Sequence, residues 1–199
     1  MTERWNTNIH YQRLMVRAVP ETARRVLDVG CGVGTLVPEV RAKAPGALIV
    51  GVDLHEESLR IARAEHPGPD LAFVRADVLA APLRDESFDA ILSSATAHHL
   101  PLEAALRRMA ALLRPGGRLV VVALTRERLP AALLWGLVGA VAYRWHTWAR
   151  GRRKWEHPSP LADPALSYRQ VEATVQRVLP GARVRRLAMW RYAVTWTKP

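Results

Sequence analysis

The 199 residues include one cysteine, Cys31, so no internal disulfide can form, and no Cys/His pairs recur at zinc-ligand spacing. No metal site is expected on that ground. Lysine is nearly as scarce: Lys43, Lys154 and Lys198 are the three occurrences, and the net charge of +11 rests on arginine. A positive balance of that size ordinarily points to nucleic acid, an anionic membrane or an acidic substrate. In an alanine-rich chain it also reads as a compositional bias with a solvated basic surface. The longest apolar run, Leu129 to Tyr143, is broken by Gly136 and Gly139 and falls short of the ~20 residues that span a bilayer. The opening Met1-Thr2-Glu3-Arg4-Trp5-Asn6 lacks the basic-then-apolar pattern of a secretory signal. A cytoplasmic protein in a reducing compartment is the expectation.

The length suits a single domain, 1–199, since domains commonly run about 100–200 residues. Trp5 to Val19 has apolar residues at roughly helical spacing, which predicts a leading helix within residues 1–20. Strand-like runs then alternate with helical patterns. Val26 to Val29 precedes a helix over Thr35 to Ala44, and Leu48 to Val52 precedes one over Glu56 to His66. Leu71 to Val74 and Phe88 to Leu92 supply the third and fourth strands. Pro101 to Leu113 is an amphipathic helix, Pro115-Gly116-Gly117 a turn, and Leu119 to Leu124 a fifth strand. Near-continuous apolar strands separated by helices indicate a parallel sheet covered on both faces. The alternation is lost over 125–165, an insertion, and resumes in 166–199. There Tyr168 to Leu179 reads as a helix and the alternating tail as one or two closing strands, with Trp190, Tyr192, Val194 and Trp196 on one face and Arg191, Ala193, Thr195 and Thr197 on the other.

The chemistry begins where the first strand runs into Gly30-Cys31-Gly32-Val33-Gly34 and then a helix. Glycines let the backbone turn sharply and come close to a nucleotide-like ligand. Asp53 follows Gly30 by 23 positions at the end of the next strand, near the ~20 expected for a carboxylate that grips ribose hydroxyls. A dinucleotide fingerprint wants glycine six positions into the turn, and Thr35 stands there. Nicotinamide and flavin cofactors lose support at that residue.

Val26-Leu27-Asp28-Val29-Gly30-Cys31-Gly32-Val33-Gly34 resembles the first motif of the class I S-adenosylmethionine-dependent methyltransferases. Further similarity lies in Asp53, in Asp77 with Val78, in Phe88-Asp89-Ala90-Ile91, and in Leu113-Arg114-Pro115-Gly116-Gly117-Arg118-Leu119, together covering about residues 24–124 in order. The resemblance implies an α/β fold: a Rossmann-like three-layer αβα sandwich whose seven-stranded sheet is mostly parallel with an antiparallel last strand. It also implies S-adenosyl-L-methionine as cofactor and S-adenosyl-L-homocysteine as product. Gly30, Cys31, Gly32 and Gly34 would cradle the methionine part, Asp28 would order the turn or reach the amino group, and Asp53, followed by Leu54, would hold the ribose. Asp77 and Val78 would flank the adenine, and Ser94 would lie beside the methionine end. For Cys31 a small residue in a tight turn is favoured over any redox or nucleophilic role.

Methyl transfer from a sulfonium has an activated leaving group, so alignment supplies most of the catalysis and a base is needed only when the acceptor must lose a proton. His98 and His99, after the fourth strand, are the candidate bases; capping or bracing the next helix is the alternative use of either ring. Ser93-Ser94-Ala95-Thr96 stands where base-methylating families carry an Asp/Asn-Pro-Pro-aromatic motif, which disfavours nucleic acid, and no carboxylate cluster there suits magnesium. The insertion can be a packed helix, a lid over a greasy acceptor, or a peripheral contact with an anionic membrane. Trp145, Trp155 and His157 in it, and Tyr168 at the start of the following helix, are the candidate acceptor-facing residues. A small organic acceptor is the leading expectation, handled by a monomer or homodimer. An RNA or protein methyltransferase and a non-catalytic cofactor-binding protein are the alternatives.

Overall fold

The computed structural model describes residues 6–126, 139–141, 144–145 and 163–199. Seven strands form one sheet: β1 (Arg25–Val29), β2 (Leu48–Asp53), β3 (Leu71–Arg75), β4 (Phe88–Ser94), β5 (Leu113–Leu124), β6 (Arg183–Leu187) and β7 (Arg191–Thr197). The helices are α1 (Gln12–Val16), α2 (Val37–Lys43), α3 (Glu56–Glu65), α4 (Leu102–Leu112) and α5 (Tyr168–Val178). The strand order is β3-β2-β1-β4-β5-β7-β6. The β1–β2, β1–β4, β2–β3 and β4–β5 pairs are parallel, while β7 runs antiparallel to both β5 and β6. This is the Rossmann-like sheet with an antiparallel last strand that the sequence resemblance implies.

Strand periodicity explains the double core, because alternate residues point to opposite faces. Leu27, Val29, Val50, Val52, Ile91 and Val121 join Leu106 and Met109 of α4 and Val171 and Val175 of α5. Val26, Ile49, Ala90, Leu92, Val120 and Val122 join Met15 and Val16 of α1 and Val37 and Val40 of α2. At about 25 cal/mol per Å² of apolar surface, burial on both faces is the main stabilising term.

Several boundaries differ from the sequence expectation. The leading helix starts late, as a 3-10 turn at Ile9–Tyr11 leading into α1. The Asn6 side chain accepts from the N–H groups of Asn8 and Ile9, which caps the helical segment there. Trp5 is outside the described residues. The helix after the glycine turn begins at Val37 rather than Thr35, because Gly34 is still in the left-handed region at φ +75°. β5 starts at Leu113, six residues early: Leu113 pairs with Phe88, and Gly116 and Gly117 exchange backbone bonds with Lys198, so the Pro-Gly-Gly turn is a bulge within the strand. Tyr192, Ala193 and Val194, which alternate between the two faces of the tail, are all buried because β7 lies between β5 and β6 under both helix layers, and Arg191 is buried with them. Trp190 belongs to the tight turn before β7, at φ +58°.

Candidate active site

The strand order reverses direction between β1 and β4, and at such a switch point the loops leaving the carboxyl ends of neighbouring strands part to open a crevice. Gly30 leaves β1 there and Ser94 ends β4. The glycine turn hangs from the end of β2: Gly30 and Cys31 both donate to the Val52 carbonyl, at 2.7 and 3.2 Å. Asp53 then pins it, accepting from Gly32 N–H at 2.8 Å through one oxygen and from His55 N–H at 2.8 Å through the other. Thr96 closes the turn from above, its Oγ1 donating to the Ser94 carbonyl at 3.2 Å. A Cβ on Gly30 would stand 1.9 Å from Thr96 Oγ1.

Two polar atoms around this turn have no partner. Asp28 is 3% exposed and its Oδ1 accepts no hydrogen bond. Burial, and then the neighbouring Asp53 charge, raise the Asp28 carboxyl to about 7. Ser94 Oγ is likewise buried and unpaired. A buried carboxylate oxygen left bare is costly, and a ligand cation or N–H donor is what satisfies it. The residues present fit S-adenosylmethionine on this observation: an unpaired carboxylate stands below a glycine cradle, and Asp53 marks the adjoining strand end. Cys31 is buried and its thiol is pushed well up by burial and the nearby carboxylates, which leaves it an inert wall residue. Leu54, 61% exposed beside Asp53, is an apolar surface facing out at the strand ends. Asp77 accepts from Leu79 N–H at 2.9 Å and orders the turn in which Val78 is buried.

The pocket on the glycine turn is lined by Gly30, Cys31, Thr35 and Ser94 and, from the N-terminal segment, by Asn6, Asn8 and Gln12. Gln12 Nε2 donates to Thr35 Oγ1 at 2.6 Å, tying that segment to the turn. The sequence reading missed this wall; the one signal for it was a pair of asparagines ahead of a helix, a cap pattern that says nothing about what the cap faces.

The histidines sit in a 3-10 turn, Ala97–His99, with ring centroids 4.1 Å apart. His99 is exposed. His98 is half-buried and lines a second pocket with Leu100, Leu124, Leu166, Val171 and Tyr192, not the one on the glycine turn. Burial first, then His99 and Arg191, lower His98 to about 4, so its ring is neutral at physiological pH, with a buried, unpaired Nδ1. Tyr168 is turned to the sheet edge: its hydroxyl donates to the Val184 carbonyl at 3.4 Å and Arg186 stacks 4.3 Å above its ring. It lines neither pocket. Trp145 is 60% exposed, and Trp155 and His157 lie outside the described residues. Among the described residues, no helix is long and apolar enough to cross a membrane.

A crevice at the switch point, a glycine turn and an acidic second-strand end are the features with which Rossmann-like enzymes hold a nucleoside-bearing cofactor. A family model described as a methyltransferase domain matches residues 27–121. The chain is 36% identical over 201 residues to an uncharacterized methyltransferase of Mycobacterium tuberculosis, covering 100% of both. It is 38% identical over 114 residues to a demethylmenaquinone methyltransferase of Thermus thermophilus, over 56% of this chain and 52% of that one. The crystal structure of a SAM-dependent methyltransferase from Aquifex aeolicus matches with a TM-score of 0.64 at 16% identity, over 96% of this chain and 90% of that one. The chain belongs to the class I S-adenosylmethionine-dependent methyltransferases.

Proposed function

We propose that this methyltransferase binds S-adenosyl-L-methionine on the Gly30–Gly34 turn and methylates a small organic acceptor that enters beside Ser94. The observation that carries the reading is the bare Asp28 oxygen buried under that turn. The cofactor, when bound, supplies a methyl group on a sulfonium and leaves as S-adenosyl-L-homocysteine. Asp28 takes the ammonium end, and Ser94 Oγ turns its free hydroxyl to the same end. Asp53 has lone pairs left over after binding Gly32 and His55, and these hold the ribose hydroxyls. Leu54 and Val78 flank the adenine, with Asp77 at its edge. The N-terminal wall of Asn6, Asn8 and Gln12 narrows the pocket, which supports a small acceptor over a polymer. The demethylmenaquinone methyltransferase among the relatives supports the same class of acceptor.

Calorimetric titration tests the cofactor assignment. Wild type binds S-adenosylmethionine and S-adenosylhomocysteine in the micromolar range, and Asp53→Ala loses that binding while still melting cooperatively; absence of binding by folded wild type overturns the proposal.

Where the acceptor must lose a proton and reaches from the glycine turn into the second pocket, which His98 lines, the proton goes to His98 or His99. His98 is unprotonated above about pH 4 and its Nδ1 is free to accept. With His98 as base, kcat stays flat from pH 8 down to pH 5 and falls only nearer 4. His98→Gln lowers kcat by about 10²-fold or more, the usual worth of a positioned base, with KM for the cofactor unchanged. A loss of less than about threefold assigns the ring to bracing instead.

A further inference from the structure

We propose that Arg191 anchors a carboxylate carried by the methyl acceptor, an inference that rests on the acceptor entering the pocket above the glycine turn. Arg191 opens β7 opposite Leu124, the last residue of β5, so it stands at the same end of the sheet as Ser94. It is 5% exposed. Its Nη1 donates to the Met189 carbonyl at 2.8 Å, its Nη2 to Thr7 Oγ1 at 2.7 Å and to Asn8 Oδ1 at 2.5 Å, and its Nε is buried with no partner. All three acceptors are neutral. Among the described residues no carboxylate forms an ion pair with it, although nine other Arg or Lys side chains pair with Asp or Glu at the surface.

A buried cation without a counter-ion is a standing cost that its three neutral acceptors offset only in part. Burial draws the guanidinium down to about 10, which leaves it charged at neutral pH. Asn8 both lines the pocket on the glycine turn and takes a bond from Nη2. An acceptor carboxylate that displaces the Asn8 amide meets Nη2 and the unused Nε side by side, the two-point match that a planar guanidinium makes with a planar carboxylate. Arg191 itself does not line the pocket on the glycine turn, so it selects the acceptor without serving the cofactor.

The test uses benzoate as a probe, titrated into wild type, Arg191→Gln and Asn8→Asp, each saturated with S-adenosylhomocysteine. Asn8→Asp places a carboxylate on Nη2 from within, neutralising the cation at a position on the N-terminal segment, so it decides the matter if Arg191→Gln folds poorly. Wild type binds benzoate, both variants bind it roughly 30-fold more weakly or not at all, and S-adenosylhomocysteine affinity stays within about threefold in Arg191→Gln. Asn8→Asp also melts at a higher temperature than wild type. Absence of benzoate binding by saturated wild type, benzoate affinity unchanged in either folded variant, or inorganic phosphate competing as tightly as benzoate overturns the proposal. If S-adenosylhomocysteine itself does not bind, the cofactor reading fails separately, and the same benzoate contrast on the cofactor-free proteins still decides the role of Arg191.

Discussion

Asp28→Asn stabilises the cofactor-free protein at pH 8 and at the same time strips it of tight cofactor binding. The sign follows from linkage. An ordinary carboxyl ionises near 3.8, and burial with the Asp53 charge holds Asp28 protonated to about 7. Below pH 3.8 both the folded and unfolded chains carry the proton and Asp28 costs nothing. As pH climbs toward 7 the unfolded chain ionises while the folded one does not, so stability falls; above 7 the full penalty, about 4 kcal/mol at ~1.4 kcal/mol per tenfold, is present. Asparagine removes the charge and keeps the shape. Its melting temperature exceeds that of wild type by roughly 8–16 °C at pH 8, at ~2–4 °C per kcal/mol for a domain of this size, and by little at pH 4.5. S-adenosylmethionine affinity falls more than about tenfold, since a charge-assisted bond to the ammonium is lost. Wild-type affinity itself rises with pH up to about 7, because the ionised carboxylate is the binding form. Melting curves at the two pH values and calorimetry check all three; equal stabilisation at both pH values would show that the Asp28 proton is not the cause.

The distribution of what was legible in the sequence has a physical basis. The glycine turn, Asp53 and the strand–helix alternation were readable because each is a local pattern: positive φ needs glycine, and a buried parallel strand needs an apolar run. The alternation of the tail gave the strand and its two faces, but not that insertion between β5 and β6 buries both at Tyr192, Ala193 and Val194. The burial of Arg191 could not be read either, since a charged residue at an inward position is invisible to periodicity until the neighbouring strands are known. The N-terminal wall of the pocket depends on Asn6, Asn8 and Gln12 meeting the turn from a distance of some twenty residues, as Gln12 meets Thr35, and no spacing rule encodes that approach. The histidine pair was found by its position after β4, but the separation of His98 from the glycine-turn pocket is a matter of how the 3-10 turn directs its rings.

Gly30→Ala abolishes cofactor binding and lowers stability by about 3 kcal/mol or more, and a second substitution shows how that loss divides. Two effects act at this position. Its φ of +72° costs an L-residue roughly 1–2 kcal/mol, and the added Cβ falls 1.9 Å from Thr96 Oγ1, 2.4 Å from its Cγ2 and 2.5 Å from its Cβ. Thr96→Ala leaves the last of these in place, so alanine at 96 relieves only part of the overlap. Thr96→Gly removes all three atoms. The Gly30→Ala/Thr96→Gly double variant therefore recovers the steric share of the loss relative to the two single variants, and the coupling between the sites in a double-mutant cycle measures that share. Gly116→Ala isolates the other share: its φ is +75° with nothing within 4 Å of a Cβ, so it should cost only about 1–2 kcal/mol and leave cofactor affinity unchanged. Chemical denaturation of the four proteins and wild type gives these numbers. A Gly30→Ala loss no larger than that of Gly116→Ala would mean that the Thr96 loop moves aside freely, and the lid that Thr96 places on the glycine turn would then be no constraint on the cofactor site.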